Sequence, residues 1–248
     1  MIIAEIGLNH MGNENYALHL VKSLVKHKKI EGITIQIREK SFYRGNRKKL
    51  ILRDSVYIKI DNIIKKSKKK FGVALCDHGK IEFFEKLNVD FIKVINNDIK
   101  NNFLLQKLLS SKFKNFFFST GLSDKKDVIN LVKKIKKYKK KYQIIHTSLS
   151  HDIEQANLNS INYLKKITRL PIAFGLHSES HEIMIVSLFY KPSSVLFYVK
   201  GNRYRVHRDE KHAIKIEYLD KIINLIVKFP KILGKMNKSA PRNILNYK

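Results

Sequence analysis

Short apolar runs alternate with longer amphipathic ones along the whole chain. The apolar runs cover residues 2–6, 33–37, 71–75, 90–95, 115–118, 142–145, 171–174 and 195–199. Each is short and bounded by polar residues, and most are rich in Ile, Val and Phe, so each predicts a buried strand. Between them, residues 15–28, 55–69, 80–87, 102–111, 125–139, 157–167, 180–190 and 217–229 carry apolar side chains at helical spacing. In the fifth of these, Val128, Leu131, Val132 and Ile135 share one face and lysines fill the other. Strands that alternate with helical crossovers predict a parallel sheet. Eight such units in a chain of 248 residues predict a closed (β/α)8 barrel, the TIM-barrel class of α/β fold, as a single domain over residues 1–235. A polar tail, residues 236–248, follows. A doubly wound open sheet is the alternative, but it would favour an early G-x-G-x-x-G loop, and Gly7 to Gly12 lacks that spacing.

In such a barrel the chemistry collects where the strands end. Strand one carries Glu5 and leads to Asn9 and His10; strand two carries Gln36 and Arg38; strand three ends at Cys76, Asp77 and His78. Strand four carries Lys93 and ends at Asn96 and Asn97, strand five in Ser119-Thr120-Gly121, and strand six in His146-Thr147-Ser148. Strand seven ends in His177-Ser178-Glu179, and strand eight leads to Lys200, Arg203 and Arg205. Glu5 and Lys93 sit inside apolar strands and need partners. Either they pair with each other, or they line a site for a charged ligand, with Lys93 on an anion and Glu5 near a proton transfer. Ser119 to Gly121 either holds a phosphate or carboxylate or caps the next helix. His146 is a base, a ligand or a satisfied core histidine.

Composition changes little in this picture. The 50 basic residues, 41 Lys and 9 Arg, against 21 acidic ones give a formal charge of +29. Lys, Asn, Ile, Phe and Tyr are abundant and Trp is absent, the profile of a chain written in A- and T-rich codons. No zinc-finger spacing or RNA-recognition signature accompanies the charge, so a specific nucleic-acid partner is not expected, while an attraction for anionic substrates is. Cys76 is the lone cysteine, which excludes an intramolecular disulfide. No apolar run reaches the ~18 residues of a membrane span, and the start, with an acid at position 5, is no signal peptide; a cytoplasmic protein without a membrane partner is expected.

The run Ile3-Ala4-Glu5-Ile6-Gly7-Leu8-Asn9-His10-Met11-Gly12 resembles the I-A-E-I-G-x-N-H-x-G opening of the sialic acid synthase family, whose members make N-acetylneuraminate, legionaminate and pseudaminate. Leu87 to Val94 resembles the family's L-G-V-x-x-x-K-I, Phe118 to Leu122 its L-S-T-G-M, Ile144 to Thr147 its L-L-H-T, Asn157 to Ile161 its N-L-x-x-I, and Ile232 to Lys235 its A-L-G-x. The resemblance implies a TIM barrel that condenses phosphoenolpyruvate with an N-acetylated amino sugar such as N-acetylmannosamine, releasing phosphate in carbohydrate biosynthesis. It implies Glu5 as the active-site acid, with Asn9 and His10 organising the loop beside it. Lys93 and Ser119 are implied to bind phosphoenolpyruvate, and Asp77 to contact the sugar; Thr120, Asn96, His146, His177 and Lys211 fall on or beside family motif positions and join the candidate substrate site. It also implies a divalent metal, manganese or magnesium.

Departures from the family pattern are concentrated in the anion and metal positions. Gln36 stands where the family has a phosphoenolpyruvate-binding Lys, with Arg38 two residues on and on the same face. Asn96 replaces a Ser. His177 and Glu179 stand at the family's Ser and metal-binding His, so the metal candidates here are His177 and Glu179. The second metal His position is Val199, and Asp209 to Ala213 loosely matches a later D-H-K-A, Lys211 included. His207 or His212 could approach the same site. The family's C-terminal antifreeze-like domain is not expected in this chain, so a homodimer or another polypeptide would supply the missing lid. These departures keep a second reading open: a non-catalytic or repurposed barrel that binds an anionic sugar or a partner protein.

Overall fold

The computed structural model describes residues 1–201 and 207–234. Arg203, Arg205 and the expected tail lie outside these residues. Eight parallel strands run in chain order around a closed barrel: β1 (Ile2–Gly7), β2 (Gly32–Ile37), β3 (Lys70–Leu75), β4 (Phe91–Val94), β5 (Asn115–Ser119), β6 (Lys141–His146), β7 (Ile172–Leu176) and β8 (Val195–Lys200). β8 pairs back onto β1, with Ile2 opposite Val195 and Glu5 opposite Tyr198. The helices between and after them are α1 (Glu14–Leu24), α2 (Asp54–Lys66), α3 (Ile81–Leu87), α4 (Asn102–Ser110), α5 (Lys125–Ile135), α6 (Ser160–Thr168), α7 (Glu182–Ser187) and α8 (Leu219–Leu233). The expected (β/α)8 barrel is therefore the observed fold. A two-residue strand, β9 (Ile214–Lys215), pairs with the end of β8 and was not expected from the sequence.

Local chemistry sets the helix boundaries. Asn13 caps α1 by accepting the Tyr16 N–H, Asn101 caps α4 through Leu104, and Asp124 and Asp127 form a reciprocal capping box on α5. α6 begins at Ser160 rather than at the expected position 157, because Asn157 lies in the left-handed region at φ +42°. α5 stops at Ile135, its last buried apolar position, and not at 139.

Strand alternation sorts the side chains into two cores. Ile2, Ala4 and Ile6 of β1, Ile92 and Val94 of β4, and Phe116 and Phe118 of β5 pack outward against the helices in one continuous apolar cluster. Their neighbours Ile3, Phe91, Phe117, Ile145, Ala173 and Leu196 form a separate apolar floor inside the barrel. The next inward positions above that floor include Glu5, Lys93, Ser119 and Tyr198, all buried. The polar layer therefore sits on a dry base, at the ends of the strands where loops can reach it.

Two glycines near the mouth are fixed by geometry. The β1–β2 register shifts between Glu5 and Gly7, and Gly7 adopts φ +55°; a Cβ there would lie 2.5 Å from the Tyr198 ring and 3.0 Å from an Asp209 carboxyl oxygen. Gly12, at φ +76°, passes so close to the Lys49 carbonyl that a Cβ would fall 1.5 Å from its oxygen. Gly12→Ala combines left-handed strain with a backbone clash. It is expected to lower stability by at least about 2 kcal/mol, read as a drop in urea midpoint at unchanged slope. A stability equal to wild type would show that the loop between β1 and α1 is free to move.

Candidate active site

Glu5 and Lys93 meet inside the barrel. The Lys93 ammonium donates to both carboxylate oxygens of Glu5, at 2.6 and 2.7 Å, and both residues are buried, 3% and 4% exposed. The Thr34 hydroxyl also donates to Glu5, at 3.3 Å. The Lys93 nitrogen lies 5.3 Å from the centre of the Tyr198 ring, within cation–π range. Of the two expectations for these residues, the structure displays the mutual pair. Such a pair costs desolvation that its attraction only partly offsets, so its position in the fold bears on function more than its presence does.

The surroundings of the pair are incompletely satisfied. Asp209, on the stretch after β8, is held by its backbone N–H to the Asn9 side-chain oxygen at 2.9 Å. Its Oδ2 is buried and finds no hydrogen-bond partner among the described residues. Burial, and then the charge on Glu5, push the Asp209 carboxyl up to about 7, against the opposing pull of Lys93 and Arg208. His212 lies 3.9 Å from Asp209 Oδ1, is buried, and has neither ring nitrogen partnered among the described residues. Its ring packs against His177 at 4.5 Å, Tyr198 at 5.1 Å and His151 at 5.2 Å between centroids. Burial, with the nearby His151, Lys93 and Lys200, drives the His212 imidazole down to about 4. His177 is held well below its ordinary range by burial first, and then by its neighbours His212, Lys93 and His151. These imidazoles are neutral at pH 7.

The other sequence candidates divide. Asn9 is fully buried and both ends of its amide are used: Nδ2 donates to the Val199 carbonyl at 2.9 Å, and Oδ1 accepts from Asp209. It ties the loop after β1 to the strand and loop of β8, a brace and not a group free to touch a ligand. His10 accepts the Gly12 N–H on Nδ1 at 2.9 Å, and burial lowers it to about 4. Ser119 is buried on the inward side of β5, two residues beyond Phe117, which is the register partner of Lys93. The Thr120 hydroxyl donates to the Ile145 carbonyl at 2.9 Å, and His146 Nε2 donates to the Ala156 carbonyl at 2.9 Å. Both line a cavity of about 230 Å³ with Val128 of α5 and Leu164 of α6, on the helix side of β5 and β6 and away from the Glu5–Lys93 pair. Asp77 accepts the Gly79 N–H at 2.9 Å and caps a short 3-10 turn. Arg38 makes a two-pronged pair with Glu39, at 3.0 Å for each bond, and stacks over Phe42 at 4.4 Å. Asn96 donates to Asn97.

The cation that the family pattern implies does not fit the donors present. Glu179 is exposed and faces Lys211 at 3.8 Å, with side-chain exposures of 58% and 69%. His177 instead packs ring to ring against Tyr198 and His212. Among the described residues no group of three or more His, Cys, Asp or Glu is placed to hold a metal ion. His177 and Glu179 are thus separated although they lie only two residues apart beyond β7: His177 packs among the rings of Tyr198 and His212, and Glu179 turns outward to Lys211. Lys211 likewise meets Glu179 at the surface.

Tyr198, Asp209, His212 and His151 complete the cluster, and only His212 was anticipated in the sequence. The signal for Tyr198 was available, since it alternates with Leu196 and Lys200 on the inward face of β8.

Comparison with known proteins adds the lineage. The NeuB family model matches residues 19–238. An uncharacterised protein of Methanocaldococcus jannaschii is 28% identical over 187 residues, covering 71% of this chain and 55% of that protein; the chain spans about half the length of this curated relative. Among solved structures, an N-acetylneuraminic acid synthetase from Leptospira borgpetersenii, in complex with citrate, superposes with a TM-score of 0.88 at 22% identity, covering 97% of this chain and 87% of that one. A spore coat polysaccharide biosynthesis protein from Bacillus subtilis gives 0.82 at 18% identity, covering 94% and 68%. A truncated 3-deoxy-D-arabino-heptulosonate 7-phosphate synthase from Thermotoga maritima gives 0.75 at 12%, covering 94% and 87%. At these identities the likenesses speak to fold. No helix among the described residues is long and apolar enough to cross a membrane.

Two predictions follow from the site's electrostatics. Removing either partner of the buried pair, as in Glu5→Gln or Lys93→Met, is expected to cost about 3–5 kcal/mol. The double variant should cost clearly less than the sum, giving a coupling of at least about 1 kcal/mol in urea unfolding. Additive costs would mean that the pair does not form in solution. His10, with its folded value depressed from 6.5 to about 4, contributes stability above pH 6.5 that is lost as pH falls through that window. His10→Gln should therefore show a shallower stability loss than wild type between those two pH values; parallel curves would place His10 in a solvated setting.

Proposed function

The chain belongs to the NeuB family, and on that premise we propose that its barrel condenses phosphoenolpyruvate with the aldehyde of an N-acetylated amino sugar to give a nonulosonic acid and inorganic phosphate. The observation that carries this reading is the Glu5–Lys93 pair, set on the apolar floor near Asp209 Oδ2 and the His212 ring nitrogens, which have no hydrogen-bond partner among the described residues. A purely structural ion pair would be expected to sit in a fully bonded shell. Here Lys93 is a cation held in reserve, and an entering carboxylate or phosphate can exchange for the Glu5 carboxylate.

In this reading each residue has a limited task. Lys93, helped by the Ser119 hydroxyl on the neighbouring strand, neutralises the anionic end of phosphoenolpyruvate. Glu5, released from Lys93, faces the reacting carbons and orients the acceptor or the attacking water. Asn9 and Gly7 hold the stretch carrying Asp209 and His212 over the pair. Tyr198 closes one wall, and the floor of Ile3, Phe91 and Phe117 keeps water from entering below. The divalent cation implied by the family pattern has no donor set among the described residues, and no step here is routed through one.

A second reading has its own observation. The anion position on β2 is Gln36, and Arg38 on the same face is already engaged by Glu39. A barrel with one anion-binding cation in place of two would retain ligand binding with chemistry lost.

Phosphorus NMR of phosphoenolpyruvate with the protein and a panel of N-acetylated amino sugars separates the two. Phosphate that appears only with protein and one sugar is the expected result and identifies the acceptor. A perturbed phosphoenolpyruvate signal without phosphate would favour the second reading, and an unperturbed spectrum would end both. In the same titration Lys93→Met should weaken phosphoenolpyruvate binding by more than about tenfold. The Glu5→Gln/Lys93→Met double variant, whose fold is checked by its urea midpoint, should bind as weakly.

A further inference from the structure

We infer that this barrel activates the aldehyde of its acceptor with a proton carried by Asp209, and not with a bound cation; the inference rests on the condensation proposed above. Among the described residues Asp209 is the carboxyl of the polar layer that has no ion-pair partner at contact distance. Glu5 is taken by Lys93, while Asp209 Oδ2 is buried and unbonded among the described residues. Its position is built in. The Asn9 amide grips its backbone N–H, the bare Cα of Gly7 makes room for Oδ2, and the Tyr198 ring lies against that same glycine.

The charged and titratable groups facing Asp209 favour its acid form. Glu5 on β1 opposes a second negative charge, and burial opposes any charge, while Lys93 on β4 and Arg208 beside it pull the other way without prevailing. Tyr198 on β8 stays a neutral phenol, and His212, at 3.9 Å, stays a neutral imidazole able to accept or pass on a proton. A neutral carboxyl in a dry pocket is a hydrogen-bond donor, which is what a carbonyl oxygen gaining negative charge requires.

The step balances without a further reactant. C3 of the enol forms a bond to the aldehyde carbon, and the carbonyl π pair moves to oxygen, which takes the Asp209 proton. Water adds to the cation left at C2, the C2–oxygen bond to phosphate breaks, and a ketone remains. The added water releases two protons. One leaves with phosphate, and the other returns to Asp209 through a ring nitrogen of His212.

The test uses the full chain, treated with a chelator, with phosphate release followed between about pH 5.5 and 9 for wild type, Asp209→Asn and Asp209→Glu. Chelated wild type is expected to keep its rate within about twofold and to slow as pH rises through about 7, since the acid form is the active one. Asp209→Asn should lose at least about a hundredfold with its melting temperature preserved, and Asp209→Glu should recover part of the rate. An infrared difference spectrum, wild type minus Asp209→Asn, should show a protonated carboxyl at about pH 6 that is gone at about pH 9. A rate lost to the chelator and restored by manganese overturns the inference alone, as does an Asp209→Asn rate near wild type or a carboxyl already ionised at the lower pH. No phosphate from wild type with any acceptor, with or without manganese, overturns the condensation reading and this inference with it.

Discussion

Everything at the mouth of this barrel depends on one constraint: a carboxylate and an ammonium share a space that excludes water. Glu5 and Lys93 neutralise each other across the barrel from β1 to β4, with the apolar floor beneath them and Tyr198 beside them. Because the charges cancel only while they touch, the pair has two low-energy arrangements. In the observed one they bond to each other, and in the one proposed for the bound state each bonds to a ligand of opposite character. An anion that displaces Glu5 from Lys93 leaves a carboxylate next to Asp209, which raises the penalty on ionising Asp209 further. The proposed anion binding and proton retention at Asp209 would thus be coupled through Glu5, whose charge already raises the Asp209 carboxyl.

The fold delivers this arrangement through non-local contacts. Glu5 comes from the first strand and Lys93 from the fourth, and the cluster is closed by residues beyond position 195. Closure of β8 onto β1 makes the two chain regions neighbours, and Asn9 fastens them by bonding Val199 on one side and Asp209 on the other. A second fastening lies nearby. Tyr16 of α1 accepts the Gly201 N–H at 2.9 Å and meets His207 at 2.7 Å, while Lys200 and His207 share Glu210. The segment carrying Asp209 and His212 is held to the start of the chain from both ends.

The parts of this architecture that were legible in the sequence are those set by local periodicity. The eight strand–helix pairs follow from apolar spacing alone, and the inward position of Glu5 and Lys93 follows from alternation within short strands. What periodicity cannot show is which inward groups meet. His146 and Ser119 both end apolar runs, yet the first faces the helices and the second the barrel, a difference of register parity. Asp77 and Arg38 are equally polar strand-end residues, but each is satisfied within a few positions, Asp77 by Gly79 and Arg38 by Glu39. The stretch Asp209 to Ala213 was marked only by a loose motif match, which left Asp209 without a role and His212 as a residue that could approach the site. Their burial comes from the Asn9 brace, some two hundred residues away in sequence.

That brace alters how the opening run Glu5 to Gly12 is to be understood. Its polar residues invite a catalytic role, yet only Glu5 faces the polar layer. Gly7 leaves the space that Oδ2 of Asp209 and the Tyr198 ring occupy, Asn9 spends its whole amide on β8, and His10 turns its Nδ1 to the Gly12 N–H. Three of the four residues are scaffolding that brings the far end of the chain over the first strand. A barrel built on this plan needs its opening motif less for chemistry than for closure. Substitutions at Asn9 should accordingly act on Asp209, through its position and its hold on a proton, before they act on anything that Glu5 does.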